Sequence, residues 1–149
     1  MTTNKAKGTA YETLSVRALN TFGVDAYRAA QAGAKDTGDL HGLSPWIGQN
    51  KAYKSWQDAI RIGLDGAEKQ RVNAHESYGV ALVKRAYRSV GESYAVQTFA
   101  TWARVLVRLR RAEALLAELA PDAYAAHMAA TADELARPFP RGTEKAEDA

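Results

Sequence analysis

The sequence predicts an α/β fold, a central mixed β-sheet flanked by helices, on three observations. Helical and strand patterning follow the order helix, three strands, helix, two strands, helix. The run Tyr78-Gly-Val-Ala-Leu-Val83 is apolar or small throughout, as befits a strand at the centre of a sheet. The chain's 149 residues, 46% hydrophobic and 25% charged, suffice for one main domain with a real core.

Thr9 to Phe22 reads as the first helix, with Tyr11, Leu14, Ala18 and Phe22 on one stripe, Thr9-Ala-Tyr-Glu12 as a capping box and Gly23 as its stop. Val24 to Gln31 reads as a strand, with Val24, Ala26 and Arg28 on alternate positions, followed by a polar turn from Gly33 to Gly38. Asp39 to Leu43 and Trp46 to Lys51 form a hairpin about Ser44-Pro45. Ser55 to His75 is a second helix, capped by Ser55 with Asp58 three residues on. Its inner side is expected to carry Trp56, Ile60, Gly63, Ala67 and Ala74, and Gly63 and Gly66 make Asp65 the place for a break. Ser93 to Gln97 pairs with the Tyr78 strand across a basic loop, Lys84 to Glu92.

Phe99 to Leu119 is a long helix expected to turn Phe99, Trp102, Leu106, Leu109, Leu116 and Leu119 inward, with Arg104, Arg108 and Arg111 on another side. Pro121 starts a further helix to Ala136, and the prolines and charges beyond it suggest an unstructured tail. The expected division is an α/β domain over 1–119, a C-terminal helical extension over 120–137 and a tail over 138–149.

With no cysteine there is no disulfide framework, zinc ribbon or thiol nucleophile. No apolar run resembles a signal peptide or approaches the roughly 20 residues of a membrane span, so a cytoplasmic protein with no membrane partner is expected. Charge is uneven: residues 1–111 hold 17 Lys and Arg against 9 Asp and Glu, and residues 112–149 hold 3 against 8. A basic body favours polyanionic partners such as DNA.

Within the hairpin, Asp39 ends one strand while Gln49 and Lys51 share a face of the next, because strand side chains alternate. The three are read as converging on one divalent metal ion. Asp39 is a hard anionic ligand, and Gln49 offers a carbonyl oxygen with the backbone carbonyl of Asn50 beside it. Lys51 orients the attacking water or stabilises charge on a phosphate. His41 is expected to be structural and Asp36 a turn residue, while His75 and His127 lack a partner at ligand spacing. No glycine-rich phosphate loop or nucleophilic serine motif is present, which counts against a nucleotide hydrolase or an esterase. Lys35, Lys54, Lys84, Arg85 and Arg88 flank the site and form a backbone track for DNA.

Several segments, in order, carry a resemblance. They are Lys7-Gly8-Thr9-Ala10-Tyr11-Glu12, Arg28 and Gly33, Gly38-Asp39, the stretch Pro45-Trp46-Ile47-Gly48-Gln49-Asn50-Lys51, and Tyr78 to Arg85. Across residues 7–109 the chain resembles the PD-(D/E)xK nucleases, and within them the Holliday-junction resolvases of archaeal and phage type. The resemblance implies a restriction-endonuclease-like core and hydrolysis of phosphodiester bonds in branched DNA with Mg2+ or Mn2+. It also implies a homodimer matched to a four-way junction, for which the apolar helix Phe99 to Leu119 is one candidate interface. Arg28 falls where the family carries an arginine and is expected to contact DNA. Glu12 has two roles open to it: the capping box, or a reach into the site from the first helix as a catalytic group and metal ligand.

The sequence departs from the family at Gln49, where the common motif has glutamate; Mrr-like members also carry Gln-x-Lys. A neutral amide coordinates a cation more weakly than a carboxylate does. The alternatives are a restriction-like or flap-directed nuclease of the same superfamily, or a DNA-binding protein whose catalytic site has decayed.

Overall fold

The computed structural model describes residues 3–29 and 36–138. Its elements are α1 (Asn4–Thr21), β1 (Tyr27–Arg28), β2 (Leu40–His41), β3 (Trp46–Lys51), α2 (Trp56–Asn73), β4 (Tyr78–Val83), a single 3-10 turn (Val90–Glu92), β5 (Tyr94–Val96), α3 (Phe99–Leu119) and α4 (Pro121–Ala136). Chain contacts divide it into two units, one holding α1, α2 and the sheet up to Gln97 and the other Thr98–Phe139. The fold is α/β with a mixed sheet, as the patterning predicts.

The five strands lie in the order β1-β2-β3-β4-β5, so the predicted hairpin supplies the central strand. β1, β2 and β3 pair antiparallel, β3 and β4 pair parallel through the α2 crossover, and β5 returns antiparallel to β4. Because β3 side chains alternate, its two faces meet different helices. Asn50 Nδ2 donates to Ser15 Oγ of α1 at 3.1 Å. Gln49 and Lys51 lie against α2, where a Cβ on Gly66 would meet Gln49 Oε1 at 3.3 Å and one on Gly63 would meet Lys51 Cγ at 3.0 Å. These two glycines let the helix approach the strand closely.

Small residues carry the packing of α2 on the sheet: Ala59 and Ala67 are fully buried, and Ala59 joins Ala81 and Val83 in one cluster flanked by Ile60 and Val96. Leu40 and Ile47 fill the hairpin interior. Close approach with little apolar bulk makes a thin core, which leaves room for polar side chains within it.

Several local expectations are corrected. α1 starts at Asn4, with the Thr3 side chain accepting from Ala6 N at 3.2 Å, because Lys5-Ala6-Lys7 extends the helix backwards. Thr9 therefore lies inside the helix and the Thr9–Glu12 capping box does not form. β1 is only Tyr27–Arg28, an exposed edge pairing with His41 and Leu40. Residues 30–35, including Lys35 and Gly33, lie outside the described residues.

α2 runs unbroken through Asp65, and its buried side is Ala59, Gly63, Ala67 and Gln70, while Trp56 stays half-exposed. The glycines are tolerated because packing against β3 offsets their low helix propensity. In the second unit α3 and α4 pack as a helical pair, joined by a contact from His127 Nε2 to Glu113 Oε1 at 3.2 Å. Phe99, Trp102, Leu109 and Leu119, expected inward, are exposed. The tail from residue 139 onward lies outside the described residues.

Candidate functional site

Asp39 follows Gly38, whose φ of +97° is a conformation that side chains rarely adopt. A Cβ there would also meet Ile47 Cγ1 at 2.7 Å. That backbone turn delivers the Asp39 carboxylate to β3. Asp39 N donates to Gly48 O at 2.9 Å, and Asp39 Oδ2 accepts from Asn50 N at 2.7 Å and from Gln49 Nε2. Asp39 and Gln49 thus meet directly, as their placement in the hairpin predicts.

The other end of the Gln49 carboxamide is also engaged. Gln70 Nε2, from α2, donates to Gln49 Oε1 and to Asp36 Oδ1, the latter at 2.8 Å. Asn73 Nδ2 adds a bond to Asp36 O at 2.8 Å, and Gly38 N donates to Asp36 Oδ1 at 3.2 Å. Gln49 is 5% exposed and Gln70 2%, so this is a buried polar chain running Asp39, Gln49, Gln70, Asp36. Two amide oxygens in or beside it, Gln70 Oε1 and Asn50 Oδ1, are buried without a hydrogen-bond partner.

Asp39 has its carboxyl raised above the ordinary range, chiefly because burial penalises the charged form. The Asn50 N–H and the Lys51 ammonium pull it back, while the Glu12 and Asp36 charges push it further up. Glu12 and Lys51 are therefore electrostatic neighbours of Asp39, one from α1 and one from the face of β3 that meets α2.

Glu12 also has a partner of its own. Its Oε2 accepts from Arg28 Nη2 at 2.9 Å and Nε at 3.0 Å, so Arg28, on the edge strand and predicted to contact DNA, is paired with a carboxylate from α1. Lys54, Lys84, Arg85 and Arg88 follow β3 and β4, whose ends adjoin: Lys51 pairs in register with Val83, and Lys84 N donates to Lys51 O at 2.9 Å. Lys54, Lys84 and Arg88 are exposed there, and Arg85 is half-buried. His41 stacks on Tyr27 with ring centroids 5.7 Å apart, in keeping with a structural role.

Sequence reasoning missed Gln70 and took Asp36 for a turn residue only. The available signal was a polar side chain continuing the stripe Gly63, Ala67, Gln70 at helical spacing, a position that faces a core. Among the described residues no group of three or more His, Cys, Asp or Glu is placed to hold a metal ion, and no helix is long and apolar enough to cross a membrane.

The donor set suits a hard cation in part. Asp39 supplies one carboxylate, and the Asn50 carbonyl lies on the strand edge that sends its N–H to Asp39, since both groups of a strand residue point to the same side. Gln49 presents its N–H to Asp39 and its carbonyl to Gln70, so it serves as a ligand only after its carboxamide turns over. The chain matches no protein-family model, no curated protein and no solved structure.

Proposed function

We propose that this chain is a metal-dependent, structure-selective DNA endonuclease of the PD-(D/E)xK type, resembling the Holliday-junction resolvases. The observation that carries the reading is the Asp39 carboxylate held on the Asn50 N–H at the central strand, with Lys51 one step along the Gln49 face. The cation-rich end of the sheet beside Lys51 suits a polyanionic substrate.

Asp39 and the Asn50 carbonyl would hold Mg2+ or Mn2+, which takes few protein ligands and keeps several waters. When bound, the ion supplies charge neutralisation on the phosphate and a more acidic water. Lys51 holds positive charge near the scissile phosphate and orients the water. Glu12 would join through Oε1, since both bonds from Arg28 go to Oε2. Branched DNA as substrate and a homodimer follow from the resemblance, and the exposed apolar side chains of α3 offer one surface for the dimer.

A second reading is favoured by a specific observation: the Gln49 amide is buried and bonded at both ends, the state expected of a site that has become structural. The test is a labelled four-way junction and a matched linear duplex, each with magnesium, manganese or chelator. Paired nicks on the junction, lost by about 10²–10⁴-fold in Lys51→Ala, are expected. Tight binding with no cutting in either metal establishes the decayed site. Equal cutting of duplex sinks the resolvase assignment and leaves a nuclease of the restriction-like or flap-directed kind.

A further inference from the structure

β3 and β4 run parallel in register up to Lys51 and Val83, and β5 begins opposite Val83 at Tyr94. One end of the sheet therefore collects the segments that leave both parallel strands and the start of β5. Ligands commonly meet parallel strands at this carboxyl end.

Four aromatic rings stand there in contact with solvent: Tyr53, Trp56, Tyr87 and Tyr94. Trp56 and Tyr94 pack with centroids 6.0 Å apart, and the Arg85 guanidinium lies 4.9 Å from the Tyr94 ring centre. Lys51 Nζ lies 5.9 Å from the Tyr53 ring centre, which ties the surface to the candidate site.

Tyr87 is fully exposed, at 104% of its reference area, and its backbone has φ +58°, a conformation rare for a bulky residue. The loop that presents it is braced. Glu92 Oε2 accepts from Ser89 N at 3.2 Å and from Ser89 Oγ at 3.0 Å, Arg88 meets Glu92 Oε1 at 3.4 Å, and Arg85 Nη1 donates to Glu92 O at 3.1 Å. The acidic residue of the loop is thus occupied in holding it, and Lys84, Arg85 and Arg88 outnumber it, which keeps the rim cationic. A braced loop holding an aromatic ring out in water between cations has no packing rationale within its own unit.

Building on the nuclease reading, we propose that this end of the sheet is a stacking surface for unpaired nucleotides at a DNA branch. Tyr87 takes a base unstacked at the branch point, and the Trp56–Tyr94 pair carries the strand beside it. Unpaired nucleotides offer what the surface asks for: apolar π faces for the rings and an anionic backbone for the rim. A base-free polyanion would need only the cations, and paired duplex bases hide their faces.

The experiment places 2-aminopurine at the branch point of a four-way junction and, separately, within matched duplex, with full-length protein in chelator. Anisotropy of an end label reports binding in the same samples. Wild type is expected to bind the junction and change the 2-aminopurine emission there and not in duplex. Tyr87→Ala is expected to lose that change and bind the junction about tenfold more weakly, at an unaltered salt slope. Tyr87→Trp should retain both, and Lys84→Ala should lower the salt slope by about one. An emission change in Tyr87→Ala equal to wild type overturns the stacking surface while leaving the nuclease reading intact. Absence of binding to any DNA by wild type overturns both.

Discussion

Gln49 and Lys51 share one face of one strand, yet their surroundings are opposite. Gln49 is buried and bonded at both ends of its amide, whereas Lys51 reaches the cationic, aromatic end of the sheet. Gly66 and Gly63 bring α2 equally close to both residues, so helix proximity is not the difference. What differs is that Gln70 faces Gln49 with a donor, while no partner closes over the Lys51 ammonium among the described residues beyond the Tyr53 ring. One strand face can therefore carry both a buried polar lock and a partly exposed ammonium.

The largest test of that contrast is Gln49→Glu. A carboxylate there cannot donate to Asp39 and places two anions together in a buried site, so in chelator it should lose about 3–5 kcal/mol in urea unfolding. Magnesium should restore much of the loss if the side chain faces a cation; a loss identical with and without magnesium would break the metal reading of this position.

Gln70→Leu comes next. It strips Gln49 Oε1 of its Gln70 donor and leaves Asp36 Oδ1 with the Gly38 N–H alone, and about 1–3 kcal/mol of stability should be lost at an unchanged m-value. Unchanged stability would show that the lock does not hold the site.

Asp39→Asn should act in the opposite direction. The folded Asp39 carboxyl is raised above its ordinary 3.8, so the folded state binds the proton more tightly than the unfolded chain does. That contribution is fully present below the ordinary value and is lost as pH rises through the raised one. Near neutral pH, Asn, which keeps an acceptor for the Asn50 N–H, should melt a few degrees above wild type, and the gap should close in acid. Thermal scans from acid to neutral pH check this, and a gap independent of pH would remove the burial argument.

The smallest effect is expected for Arg28→Ala. The Glu12–Arg28 pair is partly exposed, so its loss should change stability by less than about 1 kcal/mol. Magnesium affinity by calorimetry is the informative readout. A rise identifies Glu12 as a ligand released from its ion pair, and an unchanged affinity assigns Glu12 to bracing β1.

The sequence by itself determined the elements whose signals are local. The hairpin about Ser44-Pro45, β4, the Ser55 cap of α2 and the ends of α3 and α4 follow from periodicity, caps and turn residues within a few positions. It also determined that Asp39, Gln49 and Lys51 would share one region, because a short hairpin leaves strand alternation little freedom.

Tertiary structure alone decided which way the Gln49 amide faces and that Gln70 and Asp36 complete the chain, through contacts 21 and 34 residues apart. It also decided that Glu12 pairs with Arg28, 16 residues away, and that the loops after β3 and β4 converge on one cationic aromatic surface. The physical reason is range: periodicity and caps are settled over one or two turns of chain, whereas the partner of a buried polar group is chosen by whatever the packed layers bring within hydrogen-bond distance.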